Sequence, residues 1–140
     1  MTTEGNLELT QRLWSSIDAK DFDTIAGLFN DDAEYTDAAT PPDDVASGGN
    51  EVVARLRLAF EGVEISTELQ NVVADDNAVM AERTETWTWK TGEELGLQIA
   101  CVVEITDGKI SRWVDYWDLQ TLLNVAPAWW VEQVMKGWKS

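Results

Sequence analysis

The feature that most constrains this chain is a change of period near residue 62. Before it, apolar residues recur at helical spacing. Leu9, Leu13 and Ile17 mark an amphipathic helix over residues 7–19. Asp21 reads as the N-cap of a second, short helix carrying Phe22, Ile25, Leu28 and Phe29, which Asn30-Asp31-Asp32 ends. Residues 33–38 read as a short strand, and the prolines and acids of Thr40-Pro41-Pro42-Asp43-Asp44 make a loop. Gly48-Gly49-Asn50 leads into a third helix over residues 50–60, with Val52, Val53, Leu56 and Phe60 apolar. After the change, four runs have strand character: 63–73, 78–89, 95–105 and 110–118. Asp75-Asp76-Asn77, Lys90-Thr91-Gly92 and Asp107-Gly108 supply turn chemistry between them. Helices followed by an antiparallel meander predict an α+β fold, with helices packed on a curved sheet. Residues 126–138 read as a last helix, with Trp129, Trp130, Val131, Val134 and Trp138 enough to cover a pocket mouth or a dimer surface. A length of 140 residues without internal repeats predicts one domain.

Strand parity locates the unusual residues. Side chains two apart share a face. In the run 78–89 the odd positions are Val79, Ala81, Arg83, Glu85, Trp87 and Trp89, and the even ones suit a wetter face. In 95–105 the odd positions are Leu95, Leu97, Ile99, Cys101, Val103 and Ile105; in 110–118 they include Trp113, Asp115 and Trp117. Arg83, Glu85 and Asp115 therefore fall on apolar parity, where a charge is costly unless paired. Two readings are open: an ion-pair network bridging strands, or a carboxylate–arginine–carboxylate cluster in an apolar pocket. Such a pocket can push the pKa values of an acid and a base apart. Tyr35 and Asp37 share a face of the short strand before the Pro-Pro loop. They are either a half-buried tyrosine and a solvated strand-end acid, or part of the same site. Trp87, Trp89, Trp113 and Trp117, with Leu97 and Ile99, are either core or the wall of an apolar ligand site. Cys101 reads as a small core residue.

Composition narrows the chemistry. The chain has no histidine, which excludes Ser-His-Asp and Cys-His pairs and removes zinc's commonest nitrogen ligand. The single cysteine makes no intramolecular disulfide. We expect no metal and no cofactor; carboxylates, Arg and Tyr must do any catalysis. With 26 acidic against 10 basic residues the net charge is −16, which disfavours nucleic acid, polyanionic substrates and anionic membranes as partners. The apolar runs fall far short of the ~20 residues of a membrane span. Residues 1–6, MTTEGN, lack a signal-peptide pattern. A soluble, cytoplasmic protein is the expectation.

Ala81-Glu82-Arg83-Thr84-Glu85, Thr91-Gly92, Thr106-Asp107-Gly108-Lys109-Ile110 and Trp113-Val114-Asp115-Tyr116-Trp117-Asp118-Leu119 together resemble the limonene-1,2-epoxide hydrolases. Asp32-Ala33-Glu34-Tyr35-Thr36-Asp37 with Pro41-Pro42 matches the same family's first strand and loop. The resemblance covers residues 7–119; the helical half matches only the wider nuclear transport factor 2-like superfamily, and residues 120–140 show no match. It implies a cone of helices around a strongly bent, mixed but mainly antiparallel sheet. It further implies a homodimer with a deep apolar pocket, and one-step epoxide opening without metal, cofactor or covalent intermediate. By that resemblance Asp115 is the general base for water, Arg83 bridges two carboxylates, Glu85 is the general acid, and Tyr35 helps hold the water. Two positions depart from the pattern. Glu85 stands for an aspartate, so the acid is one methylene longer. Asp37 stands for an asparagine, and an ionised Asp can only accept hydrogen bonds. Protonated, Asp37 mimics the amide; ionised, it is itself a candidate base.

Three functions follow. The first is hydrolysis of a small apolar epoxide, of terpenoid or related kind, to a vicinal diol. The second is a ketosteroid isomerase-like or polyketide cyclase-like reaction with Asp37 as base; here Leu13 occupies the position at which the isomerases carry a tyrosine donor. The third is a non-catalytic binding module.

Overall fold

The computed structural model describes residues 2–137; Trp138, placed by the sequence in the last helix, lies outside the described residues. The order is α1 (Thr3–Asp18), α2 (Phe22–Gly27), β1 (Phe29–Asp37), β2 (Ala46–Ser47), α3 (Gly48–Phe60), β3 (Val63–Ala74), β4 (Ala78–Trp89), β5 (Glu94–Thr106), β6 (Lys109–Tyr116), α4 (Leu119–Leu123) and α5 (Ala128–Gly137). One six-stranded sheet runs β2-β1-β6-β5-β4-β3. Among the described residues only β1 and β6 pair in parallel; the other pairs are antiparallel. No helix among the described residues is long and apolar enough to cross a membrane.

Local chemistry explains the elements and the departures from expectation. The Thr2 hydroxyl accepts from Gly5 N at 3.0 Å, so α1 begins four residues earlier than its apolar pattern. Its stripe of Asn6, Thr10, Leu13 and Ile17 is buried. Helix α2, capped by Asp21, stops at Gly27. Phe29 to Asp32 are strand, not the end of that helix. Ile110 N donates to Leu28 O at 2.8 Å, and Phe29 registers with Ile110. A register shift between Phe29 and Glu34 then lets Asp31 and Asp32 stay exposed. Beyond β6, the Asp118 carboxylate accepts from Thr121 N at 3.0 Å and starts α4, a helix with too few residues to show a period.

Two glycines permit the close approach of α3 to α2 and to β1. A Cβ on Gly49 would stand 2.2 Å from the Ala26 carbonyl oxygen, and one on Gly48, at φ +78°, 2.8 Å from that of Asp31. The β5–β6 turn has Asp107 and Gly108 both in the left-handed region, at φ 53° and 77°, as tight hairpins require. The odd positions of β4 and β5 are buried and the even ones are more exposed, as parity predicts. Two aromatic groups anchor the core. Trp14, Phe29 and Tyr35 surround Trp113; Phe60, Trp89 and Trp130 surround Trp87.

Candidate active site

The sheet register brings the charged residues together. Asp115 on β6 lies opposite Asp37 on β1 and Cys101 on β5, and Cys101 lies opposite Ala81 on β4. Arg83, the next residue on that face of β4, reaches across the small Ala81 and Cys101 side chains. Its Nη1 and Nη2 donate to Asp115 Oδ1 and Oδ2 at 3.1 and 2.8 Å, a two-pronged pair. Nη2 also donates to Glu85 Oε2 at 3.1 Å. The guanidinium lies 4.1 Å from the centre of the Trp14 ring. Indole N–H groups complete the cluster: Trp113 Nε1 donates to Asp115 Oδ1 at 2.7 Å and Trp87 Nε1 to Glu85 Oε1 at 3.1 Å. Beside them, the Tyr35 hydroxyl donates to the Asp37 carboxylate at 2.9 Å, and Trp117 Nε1 donates to Asp37 Oδ1 at 3.0 Å. All five predicted catalytic residues therefore face one site: Arg83 is 1% exposed, Glu85 and Asp115 4%, Tyr35 5% and Asp37 8%.

Glu85 and Asp115 share the Arg83 guanidinium, Asp37 lies beside Asp115 with the Arg55 charge acting on it, and burial favours a proton among the three carboxyls. Burial, then the nearby Asp115 carboxylate, pushes Asp37 up to about 7. Burial also raises Glu85, against the pull of Arg83. Arg83 remains protonated: burial disfavours its charge, but Asp115 and Glu85 outweigh that and hold its pKa well above the ordinary value. Burial and the Asp37 charge keep the Tyr35 phenol un-ionised. An acid able to hold a proton and a carboxylate held by a bidentate guanidinium thus stand on the two sides of Arg83.

These groups form the floor of a cavity of about 790 Å³. Trp87, Trp113, Trp117, Leu97 and Ile99 line it, as the sequence suggested. Trp89 does not. It is 1% exposed and packs 5.6 Å from Trp87 and 5.9 Å from Trp130. Parity assigns Trp89 to the correct face but carries no information on distance from the floor. Several lining residues carry no sequence signal of their own. Phe60 lies on the apolar stripe of α3, Leu122 is in the short α4, and Arg55 projects from α3 with Nη2 2.7 Å from Asp44 Oδ1. Arg55 also donates to the Tyr35 and Asp44 carbonyls at 3.4 and 3.3 Å, tying the Pro-Pro loop to α3. Helix α5 contributes Trp130, Val131, Val134 and Met135 to the cavity lining, while Trp129 is not part of it. Among the described residues no group of three or more His, Cys, Asp or Glu side chains is arranged to hold a metal ion.

A helix-covered six-stranded mixed sheet with a charged floor defines the nuclear transport factor 2-like cone. A solved NTF2-like protein from Burkholderia xenovorans LB400 superposes with TM-score 0.76 at 20% identity, over 91% of this chain and 99% of that one. The chain belongs to the SnoaL-like domain family, whose match spans residues 10–113. It is similar to the epoxide hydrolase EphG of Mycobacterium tuberculosis (strain ATCC 25618 / H37Rv), 27% identical over 111 residues, which are 79% of this chain and 71% of that protein. The structure of an LEH-like epoxide hydrolase from M. tuberculosis superposes with TM-score 0.74 at 24% identity, over 97% of this chain and 92% of that one. The cone fold expected from the sequence is thus the fold observed, and the resemblance to epoxide hydrolases recurs in these relatives.

Proposed function

We propose that the protein is an enzyme that opens an apolar epoxide to a vicinal diol in one step. The observation that carries this reading is the Asp115–Arg83–Glu85 array, joined by contacts of 2.8 to 3.1 Å on the floor of an apolar cavity. Water bound between Asp115 and the Tyr35–Asp37 pair gives up a proton to Asp115 as its oxygen attacks one epoxide carbon. The C–O bond at that carbon breaks, and Glu85 delivers its proton to the departing oxygen. A proton returned from Asp115 to Glu85 restores the enzyme. Neutral Asp37 orients the water as donor and acceptor, which an ionised carboxylate cannot do. The walls exclude bulk water and bind the hydrocarbon part of the substrate. Similarity to a named epoxide hydrolase supports the reading.

The test is a single turnover in oxygen-18 water on a panel of terpene and aryl epoxides. Direct attack by water labels the diol in the first turnover. An unlabelled first product, or no diol from any epoxide with folded protein, overturns the reading. Asp115→Asn and Glu85→Gln should each lower kcat/KM by about 10²-fold or more, read by diol formation. One observation favours a second reading, an isomerase with Asp37 as base: its pKa of about 7 suits proton abstraction at neutral pH. Asp37→Asn abolishes isomerisation but leaves an Asp115-based hydrolase partly active. A homodimer, which the resemblance to the epoxide hydrolases implies, belongs to the proposal, with the exposed outer sheet face bearing Gln98, Ala100 and Tyr116 as the surface it would use. Light scattering should return twice the 15.7 kDa chain mass.

A further inference from the structure

Glu85 carries a longer arm than the aspartate of the resembling hydrolases, and the structure shows what restrains it. Trp87 is two residues on, on the same buried face of β4. Trp87 Nε1 donates to Glu85 Oε1 at 3.1 Å, while Arg83 Nη2 donates to Oε2 at 3.1 Å, so each oxygen has its own donor. Each oxygen also keeps a second lone-pair position for a proton. Trp87 is itself held. Phe60 meets its ring edge-on at 5.3 Å and Trp130 at 5.7 Å, and Trp89 lies against it at 5.6 Å. Trp130 is fixed in turn by donating Nε1 to Ala59 O at 2.7 Å. A flexible acid loses rate unless its reactive oxygen is confined.

We propose that Trp87 is the positioning residue for Glu85: its indole N–H pins the longer side chain, and Trp130 of α5 clamps Trp87. This inference rests on the hydrolase reading for Glu85's role in catalysis. The charged and titratable groups around Glu85 are Arg83 on β4, Asp115 on β6 and the Tyr35 phenol on β1. Its register partners on β5 and β3 are Leu97 and Thr67. The indole donor favours the carboxylate form, so deleting it makes the acid hold its proton to higher pH.

The test is Trp87→Phe, which keeps an aromatic ring and removes the donor, read in two ways. The first is pH-difference infrared spectroscopy of the carboxyl band that Glu85→Gln abolishes. The second is diol kinetics. The titration of that band should move upward in Trp87→Phe, and kcat should fall about tenfold with little change in KM. Glu85→Asp withdraws the carboxyl from the indole. Trp87→Phe added to Glu85→Asp should therefore cost less than about twofold. An unmoved titration, or the same kcat loss in the Glu85→Asp background, overturns the proposal. A wild type that makes no diol, with the band still shifting in Trp87→Phe, overturns the hydrolase reading and upholds the Glu85–Trp87 coupling.

Discussion

Asp37 is buried beside the Asp115 carboxylate, and this makes the fold sensitive to pH. Its pKa is about 7 in the fold against an ordinary 3.8. The folded state therefore keeps a proton that the unfolded chain releases above pH ~4. The stability from that proton is fully present below pH ~4 and is lost as pH rises through about 7. The span is at most about 4 kcal/mol, with the coupling to Asp115 included. Asp37→Asn should flatten the stability profile between about pH 4 and 7, measured by urea unfolding; an unchanged slope means another group carries it. Arg83, Glu85 and Asp115 were legible in the sequence because a charge on apolar parity is conspicuous. The partners of Asp37 were less so. Tyr35 is a near neighbour on β1, but Trp117 approaches from the far end of the chain, and only the parallel pairing of β1 with β6 brings it there.

Helix α3 starts at a place where substitution works against helix propensity. Glycine to alanine inside a helix normally stabilises by up to about 1 kcal/mol. At Gly49 the new methyl would meet the Ala26 carbonyl oxygen at 2.2 Å, so α2 and α3 must part. Gly49→Ala should destabilise the protein by roughly 1–3 kcal/mol, seen as a lower denaturation midpoint at an unchanged slope. The long strands were readable because Val79 to Trp89 and Leu95 to Ile105 keep a strict period of two. The start of β1 was not. Asn30, Asp31 and Asp32 have turn composition, and what makes them strand is Ile110, eighty residues on, hydrogen-bonded to Leu28. Helix α4 was unreadable for a different reason: its five residues are fixed by the Asp118 cap and by Leu122 reaching the core.

A net charge of −16 on 140 residues makes self-repulsion a property of the entire molecule. Only part of it is offset by pairs such as Lys20–Glu64 and Arg112–Glu104 at the surface. Salt screens the exposed charges and leaves the buried floor nearly untouched. The midpoint of thermal unfolding should rise by a few degrees between about 20 and 500 mM salt, while the pH dependence assigned to Asp37 persists; a falling midpoint would show that surface attraction dominates. The strand order has a consequence for the site. Among the described residues β6 is the last strand in chain order, yet it lies between β1 and β5 and links the two halves of the sheet. The β3–β4–β5 meander is a run of consecutive antiparallel hairpins that holds Arg83 and Glu85 in register without β6. Pairing of the eight-residue β6 with both β1 and β5 joins the two halves of the sheet and sets Asp115 beside Asp37 and within reach of Arg83. A chain that stops before residue 109 holds Arg83 and Glu85 in the meander and lacks Asp115, the two-pronged partner of that guanidinium.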